Sequence, residues 1–246
     1  YVCSALDEAH AAVDEMMASR VFGAAGSLVV IEDLLRGEEA SFLALTDGTT
    51  VVPLASSQDH KRIFDDDRGP NTGGMGAISP APVVTADVER RAVADLQKVV
   101  AVLRKRGIVY KGILYAGLMI DDGVANVLEF NCRFGDPECQ PLLMRLQTDL
   151  LDLLEATVEG RLDTLEPLRW DPRPAVGVVM ASEGYPGSYE RGLPIRGLDD
   201  AAQVPDVKVF HAGTSTLDGQ VITNGGRVLG VTALGNSIPA AKLQAY

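Results

Sequence analysis

The most informative stretch of this chain reads Val127-Leu128-Glu129-Phe130-Asn131-Cys132-Arg133-Phe134-Gly135-Asp136-Pro137-Glu138. Its first five residues have the composition of a strand, on which residues two apart point to the same face. Glu129 and Asn131 are therefore predicted to project together. Leu128 and Phe130, beside them, would be buried. A carboxylate and an amide oxygen side by side suit Mg²⁺, which usually takes one or two carboxylates plus substrate phosphates. An exposed strand end with ordinary polar residues is the alternative.

The polar segment after this strand carries groups that could hold a charged ligand. Arg133 could grip a carboxylate or a phosphate with its planar guanidinium. Asp136 and Glu138 could hold an amine. The alternative is that they hold Arg133 in a salt bridge within the loop, which has little energetic consequence when it is exposed.

Further upstream lies a glycine-rich stretch, Gly69-Pro70-Asn71-Thr72-Gly73-Gly74-Met75-Gly76. It belongs to a segment, residues 56–82, whose weak periodicity predicts a long loop, and such loops are usually functional or disordered. Glycines allow positive φ, so successive N–H groups could converge on an anion. No Lys-Ser or Lys-Thr follows, so the stretch is not a P-loop. We expect a ligand-facing loop, with a plain tight turn as the alternative.

Two weaker patterns flank these. In Ser57-Gln58-Asp59-His60-Lys61-Arg62 the basic pair Lys61 and Arg62 could face phosphates, whereas a lone His60 is more often structural and is not assigned a catalytic role. Residues 28–32 form an apolar run that predicts a buried strand ending in an acidic turn. Backbone groups there could read the edge of an adenine, and Glu39 could accept hydrogen bonds from ribose hydroxyls. Taken alone, this is a strand followed by a solvated turn.

Local patterning predicts hairpins early in the chain and a strand-rich region late. The hairpin signals are Asp47-Gly48, between residues 40–45 and 50–55, and Asp121-Asp122-Gly123, between residues 112–120 and 124–130. The strands predicted in the last third are residues 175–181, 207–211, 220–223 and 227–233. A composition change with several prolines places a domain boundary near residue 165. The predicted domains are therefore residues 1–165 and 166–246.

Two helices are predicted between these strands. Thr85 would cap the first, which would end at Gly107. Pro141 would open the second, which Gly160 would close. Its predicted buried stripe consists of Leu142, Leu146, Leu150, Leu153 and Leu154.

Composition narrows the class of protein. The chain has 246 residues and a formal net charge of −12, which would repel a polyanion such as DNA. No apolar run reaches the roughly 20 residues of a membrane span, and the first residues lack a signal-peptide pattern. The cysteines Cys3, Cys132 and Cys139 lack metal or disulfide spacing and are predicted to be free thiols. We expect a cytoplasmic protein with no nucleic-acid or membrane partner.

Each motif is weak alone, but their order along the chain is specific. Taken with Phe210-His211-Ala212-Gly213-Thr214 and Thr223-Asn224-Gly225-Gly226-Arg227-Val228-Leu229, the chain closely resembles the phosphoribosylamine–glycine ligase family of the ATP-grasp superfamily, over essentially its whole length. The resemblance implies an α/β (α+β) fold: an ATP-grasp antiparallel sheet with flanking helices, followed by a small, mostly β C-terminal domain. It also implies Mg²⁺ or Mn²⁺ with ATP as co-substrate. The expected partners are the small molecules ATP, glycine and 5-phosphoribosylamine.

The family's chemistry is then what the resemblance implies: glycine and ATP give glycyl phosphate, which 5-phosphoribosylamine converts into glycinamide ribonucleotide. Glu129 and Asn131 would hold the metal, and Arg133 and Lys61 would act in catalysis. The residues expected at the nucleotide are Glu32, Asp33, Leu34 and Glu39. The residues expected at the other substrates are Asp59, Asn71, Gly73, Gly74, Asp136 and Glu138.

The chain departs from the family pattern at both ends. These residues are expected to lack the family's N-terminal domain and its glycine- and lysine-bearing loop over the ATP phosphates, because Tyr1 would follow that loop. The family's final helical segment is expected to be cut short at Tyr246. We therefore expect the 246-residue chain alone to bind ATP weakly and to turn over little. Two other functions stay open: another ATP-grasp ligase, such as a carboxylase-type enzyme of purine synthesis, and a non-catalytic nucleotide-binding module.

Overall fold

The computed structural model describes residues 1–66 and 68–246, so Asp67, part of the predicted loop, lies outside the described residues. The described chain separates into two compact units, Tyr1–Gly37 and Glu38–Tyr246. The α-helices are α1 Leu6–Val13, α2 Ala86–Lys105, α3 Cys139–Arg145, α4 Leu150–Glu159, α5 Leu198–Ala201 and α6 Ile238–Ala245. The strands are β1 Glu38–Thr46, β2 Val51–Pro53, β3 Gln58–Asp59, β4 Arg62–Phe64, β5 Arg68–Asn71, β6 Gly76–Ser79, β7 Gly112–Asp121, β8 Val124–Asn131, β9 Ala175–Ala181, β10 Val207–His211, β11 Thr214–Leu217, β12 Gln220–Thr223 and β13 Arg227–Leu234.

The first unit consists of α1, a π-helical turn at Asp14–Ala18, a 3₁₀ turn at Gly23–Ser27 and an irregular segment after it. The strand predicted at residues 28–32 is wrong, because no described residue pairs with this segment. Leu28 and Ile31 are about four-fifths exposed, at 81% and 80%. An isolated strand leaves its backbone N–H and C=O groups without partners, so an apolar run alone does not produce one.

The second unit contains a four-stranded antiparallel sheet in the order β2-β1-β7-β8. Both predicted hairpins are confirmed in it. Side chains alternate between its faces, so one face packs against α2 through Phe42 and Leu118. The other face packs through Leu43 and Leu45 against the core that includes α4. Burial on both faces explains why β1 and β7 read as nearly continuous apolar runs.

The two predicted helices have different outcomes. The first is confirmed as α2: the Thr85 hydroxyl accepts a hydrogen bond from the Val88 N–H. The second is not one helix but two, α3 and α4. The break occurs because the Asp149 side chain caps α4, while the N–H groups of Gln147 and Thr148 donate to the Arg169 carbonyl oxygen. Leu154 of the predicted buried stripe is exposed, whereas its neighbour Leu153 is buried.

A second, five-stranded antiparallel sheet has the order β10-β13-β9-β6-β3. The four strands predicted in the last third of the chain are present. The long loop predicted at residues 56–82 is wrong, because β3 to β6 form there. β6 pairs with β9, about 100 residues later, and β3 pairs with β6, so local periodicity does not report this part of the sheet. The domain boundary near residue 165 stays a prediction.

The cysteines and the helices of the described residues bear on two expectations from composition. Cys3, Cys132 and Cys139 are all free thiols, as predicted. Among the helices of residues 1–66 and 68–246, none has the length and apolarity to cross a bilayer.

Helices α3 and α6 both pack against β9 and β13 of the five-stranded sheet.

Candidate active site

A cavity of about 200 Å³ lies in the second unit, where the end of β8 meets the segment after it, residues 59–61 and the glycine-rich stretch. Its lining residues are Asp59, Lys61, Thr72, Gly73, Tyr115, Glu129, Asn131, Arg133, Gly135, Asp136 and Glu138. Most of the site residues predicted from the sequence in this unit therefore meet at one place.

Glu129 and Asn131 project from the same side of β8, as period two predicts. The Asn131 amide nitrogen donates to Glu129 Oε1 over 2.9 Å. A β-bulge just before Glu129 leaves Leu128 as the extra residue of β8 opposite β7. Gly117 faces Glu129 across the ladder, and a Cβ there would lie 3.2 Å from Glu129 Cγ. The glycine thus leaves room for the Glu129 side chain.

The prediction that Phe130 is buried is wrong: its side chain is 45% exposed. The reason is the position of β8 at the edge of its sheet. The same position leaves Glu129 open to solvent, and a ligand can therefore reach its carboxylate.

The donor set at the end of β8 fits a hard divalent cation that is shared with phosphates. It offers one exposed carboxylate and one amide oxygen, and Mg²⁺ usually takes one or two carboxylates together with substrate phosphates. Among the described residues, no group of three or more His, Cys, Asp or Glu side chains could enclose a metal.

Arg133 lies two residues past Asn131 and lines the cavity. One of its amino groups donates to the Phe134 carbonyl oxygen over 2.8 Å, and its guanidinium is otherwise exposed. The alternative in which Asp136 holds Arg133 is wrong. Asp136 instead forms a two-point ion pair with Arg227, at 3.0 and 3.2 Å. An exposed guanidinium beside a carboxylate and an amide is well placed for an anionic group.

Glu138 is buried beneath the cavity, with only 3% of its surface exposed. Ser41 and Tyr115 both donate hydroxyl hydrogen bonds to Glu138 Oε1, over 2.8 and 3.0 Å. Burial and the negative charge of Glu138 raise the pKa of Tyr115 above its ordinary value. Gly135 lies directly over the carboxylate, since a Cβ there would come within 2.6 Å of both carboxylate oxygens.

Asp59 and Lys61 are half-buried and line the cavity next to each other. Burial, reinforced by the charge of Glu138, raises the pKa of Asp59 to about 7. Asp59 Oδ1 is buried without a hydrogen-bond partner among the described residues. Lys61 Nζ pairs with Glu39 Oε2 at 2.5 Å. Burial alone would lower the pKa of Lys61, but the hydrogen bond and charge of Glu39 outweigh it and raise that pKa.

The glycine-rich stretch meets the cavity through Gly73. The prediction that successive N–H groups of this stretch converge on an anion is wrong, because the N–H groups of residues 73–75 are bonded within the protein. Gly73 N donates to the Tyr185 hydroxyl and Gly74 N to the Thr72 hydroxyl. Met75 N donates to the His60 carbonyl oxygen. Gly74 has φ +108° and lies so close to Pro137 that a Cβ would come within 2.3 Å of Pro137 Cδ. Close packing, in addition to backbone freedom, explains this glycine.

Some predicted residues lie elsewhere. Asn71 is exposed in β5, opposite Arg62 of β4, and does not line the cavity. Glu32, Asp33 and Leu34 lie in the irregular segment of the first unit. Sequence reasoning assigned no role to Tyr115 or Arg227. Tyr115 faces Asn131 across the β7–β8 ladder, so hairpin register was a usable signal for it.

Fold comparison first gives the class. The chain is similar to the crystal structure of phosphoribosylamine–glycine ligase from Thermotoga maritima, with 34% identity, a TM-score of 0.78 and coverage of 87% of this chain and 52% of that one. N5-carboxyaminoimidazole ribonucleotide synthetase from Thermus thermophilus shares the fold alone, at 13% identity, a TM-score of 0.58 and coverage of 86% and 50%. These neighbours, the antiparallel architecture and a matching family model of an ATP-grasp domain define an ATP-grasp protein.

Sequence comparison then gives the family. A model described as "Phosphoribosylglycinamide synthetase, ATP-grasp (A) domain" matches residues 1–139, and that of the C domain matches residues 175–246. The chain belongs to the phosphoribosylglycinamide synthetase family.

Two relatives illustrate the similarity, and both are named phosphoribosylamine–glycine ligase. The protein from Pseudomonas aeruginosa is 58% identical over 98% of this chain and 56% of its own length. The protein from Rhodopirellula baltica is 54% identical over 100% of this chain and 56% of its own length. The chain thus spans about half the length of the curated relatives it matches.

Proposed function

We propose that the chain supplies the metal–nucleotide and acyl-transfer groups of an ATP-dependent ligase that joins glycine to 5-phosphoribosylamine. The products are glycinamide ribonucleotide, ADP and phosphate, a step of de novo purine synthesis. Relatives more than 50% identical that carry the name phosphoribosylamine–glycine ligase support this assignment. The observation that carries it is the meeting of Glu129, Asn131 and Arg133 at one cavity.

The reaction would run in two steps. An oxygen of the glycine carboxylate attacks the γ-phosphorus of ATP, and the bond from that phosphorus to ADP breaks, which gives glycyl phosphate. The amine nitrogen of 5-phosphoribosylamine then attacks the acyl carbon. A C–N bond forms, phosphate leaves and the nitrogen loses a proton. Phosphoryl transfer depends mainly on positioning and charge stabilisation, so the Arg133 guanidinium would orient the glycine carboxylate and then the acyl phosphate.

Glu129 and Asn131 would hold Mg²⁺ or Mn²⁺ together with the phosphates. When bound, such an ion neutralises the charge that develops on the phosphate oxygens. Lys61 would add positive charge on the other wall of the cavity. Gly73 and its neighbours would cover the reacting groups and exclude water, which would otherwise hydrolyse glycyl phosphate.

The remaining proposed contacts are those to the nucleotide and to the amine. Glu32, Asp33 and Leu34 would line the adenine, and Glu39 would accept from the ribose hydroxyls. Glu39 is paired with Lys61 and both side chains are about two-fifths exposed, at 43% and 40%, so exchanging this ion pair for a hydroxyl contact would cost little. Asp59, Asp136 and Glu138 complete the proposed substrate contacts at the cavity. Asn71 and Gly74 do not line the cavity, and their proposed substrate contacts follow from the family resemblance. ATP, glycine and 5-phosphoribosylamine would be the partners, in the cytoplasm.

The test measures ADP release by the complete encoded protein with Mg²⁺ and either glycine or bicarbonate. Hydroxylamine is added to trap an acyl phosphate as the hydroxamate. We expect ADP and glycine hydroxamate to form with glycine only. Bicarbonate-dependent ADP release without a glycine effect would indicate a different ATP-grasp ligase. Mg²⁺-independent ATP binding without turnover would indicate a nucleotide-binding module.

The matched variants are Glu129→Gln and Glu155→Gln. Removing the metal-facing charge should lower kcat by about 100-fold and raise the Mg²⁺ concentration needed for half-maximal rate. Glu155 is exposed on α4 and away from the cavity, so its variant should behave as wild type. Equal activity of Glu129→Gln and wild type would contradict the assigned metal site.

A further inference from the structure

Arg227, at the start of β13, connects two segments that wall the cavity without lining it itself. Its guanidinium donates to the Gly73 carbonyl oxygen over 2.6 Å and to the Gly74 carbonyl oxygen over 3.4 Å. It also donates to the Asp136 carboxylate at two points, over 3.0 and 3.2 Å, and to the Asp136 carbonyl oxygen over 3.2 Å. One planar cation thus holds the glycine-rich stretch against the segment that follows Arg133.

A β-bulge sets the direction of this side chain. The register between β13 and β9 shifts between Arg227 and Leu229, so Val228 is the extra residue of the bulge. A bulge bends its strand and re-aims the neighbouring side chain. The Arg227 carbonyl oxygen accepts from the Gly213 N–H over 2.9 Å, which fixes the backbone on the other side. The guanidinium is therefore presented from a strand that pairs with neighbouring strands on both sides.

The contact with Gly73 is shaped for close approach. A Cβ at Gly73 would lie 2.9 Å from the central guanidinium carbon of Arg227. Gly73 N donates to the Tyr185 hydroxyl over 3.1 Å. Residues of the last third of the chain therefore engage both the N–H and the C=O of Gly73. The side chain of Arg227 is only 23% exposed, against 63% for Asp136, so water competes little for the guanidinium.

We infer that Arg227 is a positioning residue for the ligase reaction, because it fixes Gly73 and Asp136 on two sides of the cavity. This inference rests on the proposed function for its kinetic part. Binding geometry that shifts by an ångström can cost about 100-fold in rate even when the change lies outside the reacting groups. Lysine would not replace the arginine, because an ammonium cannot make the planar, two-point contact with Asp136 while reaching Gly73.

The structural part is tested by amide hydrogen exchange followed by mass spectrometry. Arg227→Ala and Arg227→Lys are compared with wild type, and Arg173→Ala is the matched control. Arg173 also bridges carboxylates, those of Asp171 and Asp206, but none of these three lines the cavity. Exchange in the peptide that contains Gly73 should become about 10-fold faster in both Arg227 variants and stay unchanged in Arg173→Ala. Unchanged exchange in the Arg227 variants would overturn the inference.

The kinetic part uses the complete encoded protein. Arg227→Ala should lower kcat about 100-fold, while the KM for ATP should change less than about 3-fold. Added guanidinium ion should restore part of the rate in Arg227→Ala, which a merely structural defect would not allow. A kcat within about 3-fold of wild type, or an equal loss in Arg173→Ala, would refute the role.

The two proposals fail in different ways. If wild-type protein shows no glycine-dependent ADP release, the ligase function is wrong and hydrogen exchange alone decides whether Arg227 fixes the two segments. If wild type is active and the Arg227 variants match it, the ligase function stands and the positioning role is wrong.

Discussion

Replacing Asp59 with asparagine should make the protein's stability less dependent on pH. Burial and the charge of Glu138 raise the pKa of Asp59 from 3.8 to about 7, against the opposing charges of Lys61 and Arg227 and with the support of Glu39. Between these two pH values the folded state keeps a proton that the unfolded state has released. The free energy of unfolding therefore falls as pH rises through this window. Asp59→Asn is uncharged throughout and escapes the penalty.

The size of the effect follows from the two pKa values. A rise from 3.8 to about 7 corresponds to at most about 4 kcal/mol, at about 1.4 kcal/mol per pH unit. Between pH 5 and pH 8 most of that window is crossed. The gap between Asp59→Asn and wild type should widen by about 3 kcal/mol over this range in favour of the variant.

Urea unfolding at pH 5 and pH 8 measures this gap, and comparing variant with wild type cancels the titration of other groups. Asp163→Asn is the control, because Asp163 is exposed and away from the cavity. If the difference in unfolding free energy between Asp59→Asn and wild type is the same at pH 5 and pH 8, the raised pKa of Asp59 is wrong.

Two further substitutions test the packing beneath the cavity. Gly135→Ala should destabilise the protein by about 2 kcal/mol or more, because its Cβ would collide with the Glu138 carboxylate. The control is Gly230→Ala, because a Cβ at Gly230 meets nothing within 4 Å, and its midpoint of thermal unfolding should stay near that of wild type. Equal midpoints for Gly135→Ala and Gly230→Ala would contradict the close packing at Gly135. Tyr115→Phe should cost about 1–2 kcal/mol in urea unfolding, because it removes a donor to buried Glu138. No loss of stability would show that the Tyr115 hydroxyl is dispensable there.

Local signals predicted those parts of the fold whose partners are close in sequence. Asp47-Gly48 and the turn at Asp122-Gly123 each join neighbouring antiparallel strands, and Thr85 caps its own helix. The apolar run at residues 28–32 carries the same kind of signal but has no strand beside it among the described residues. Hydrophobicity indicates what a segment could bury, and only a partner decides whether it is buried.

The candidate site likewise combines contacts that local sequence predicts with contacts that it does not. Glu129 and Asn131 share a side because they are two apart on one strand, and the bulge falls before them without disturbing that spacing. Asp136, by contrast, could be paired with Arg133 on sequence proximity alone. Its actual partner, Arg227, is 91 residues away. No pattern in the sequence reports that distance, because the five-stranded sheet creates the contact.

The five-stranded sheet pairs strands that are far apart in the sequence, which affects folding during synthesis. Strand β6, at Gly76–Ser79, pairs with β9, at Ala175–Ala181, about 100 residues later. On a ribosome adding about 5–20 residues per second, β6 would emerge several seconds before its neighbour exists. Until then its open edge is free to pair with the wrong strand, in this chain or in another. A nascent chain that stalls between these strands should therefore be a substrate for chaperones.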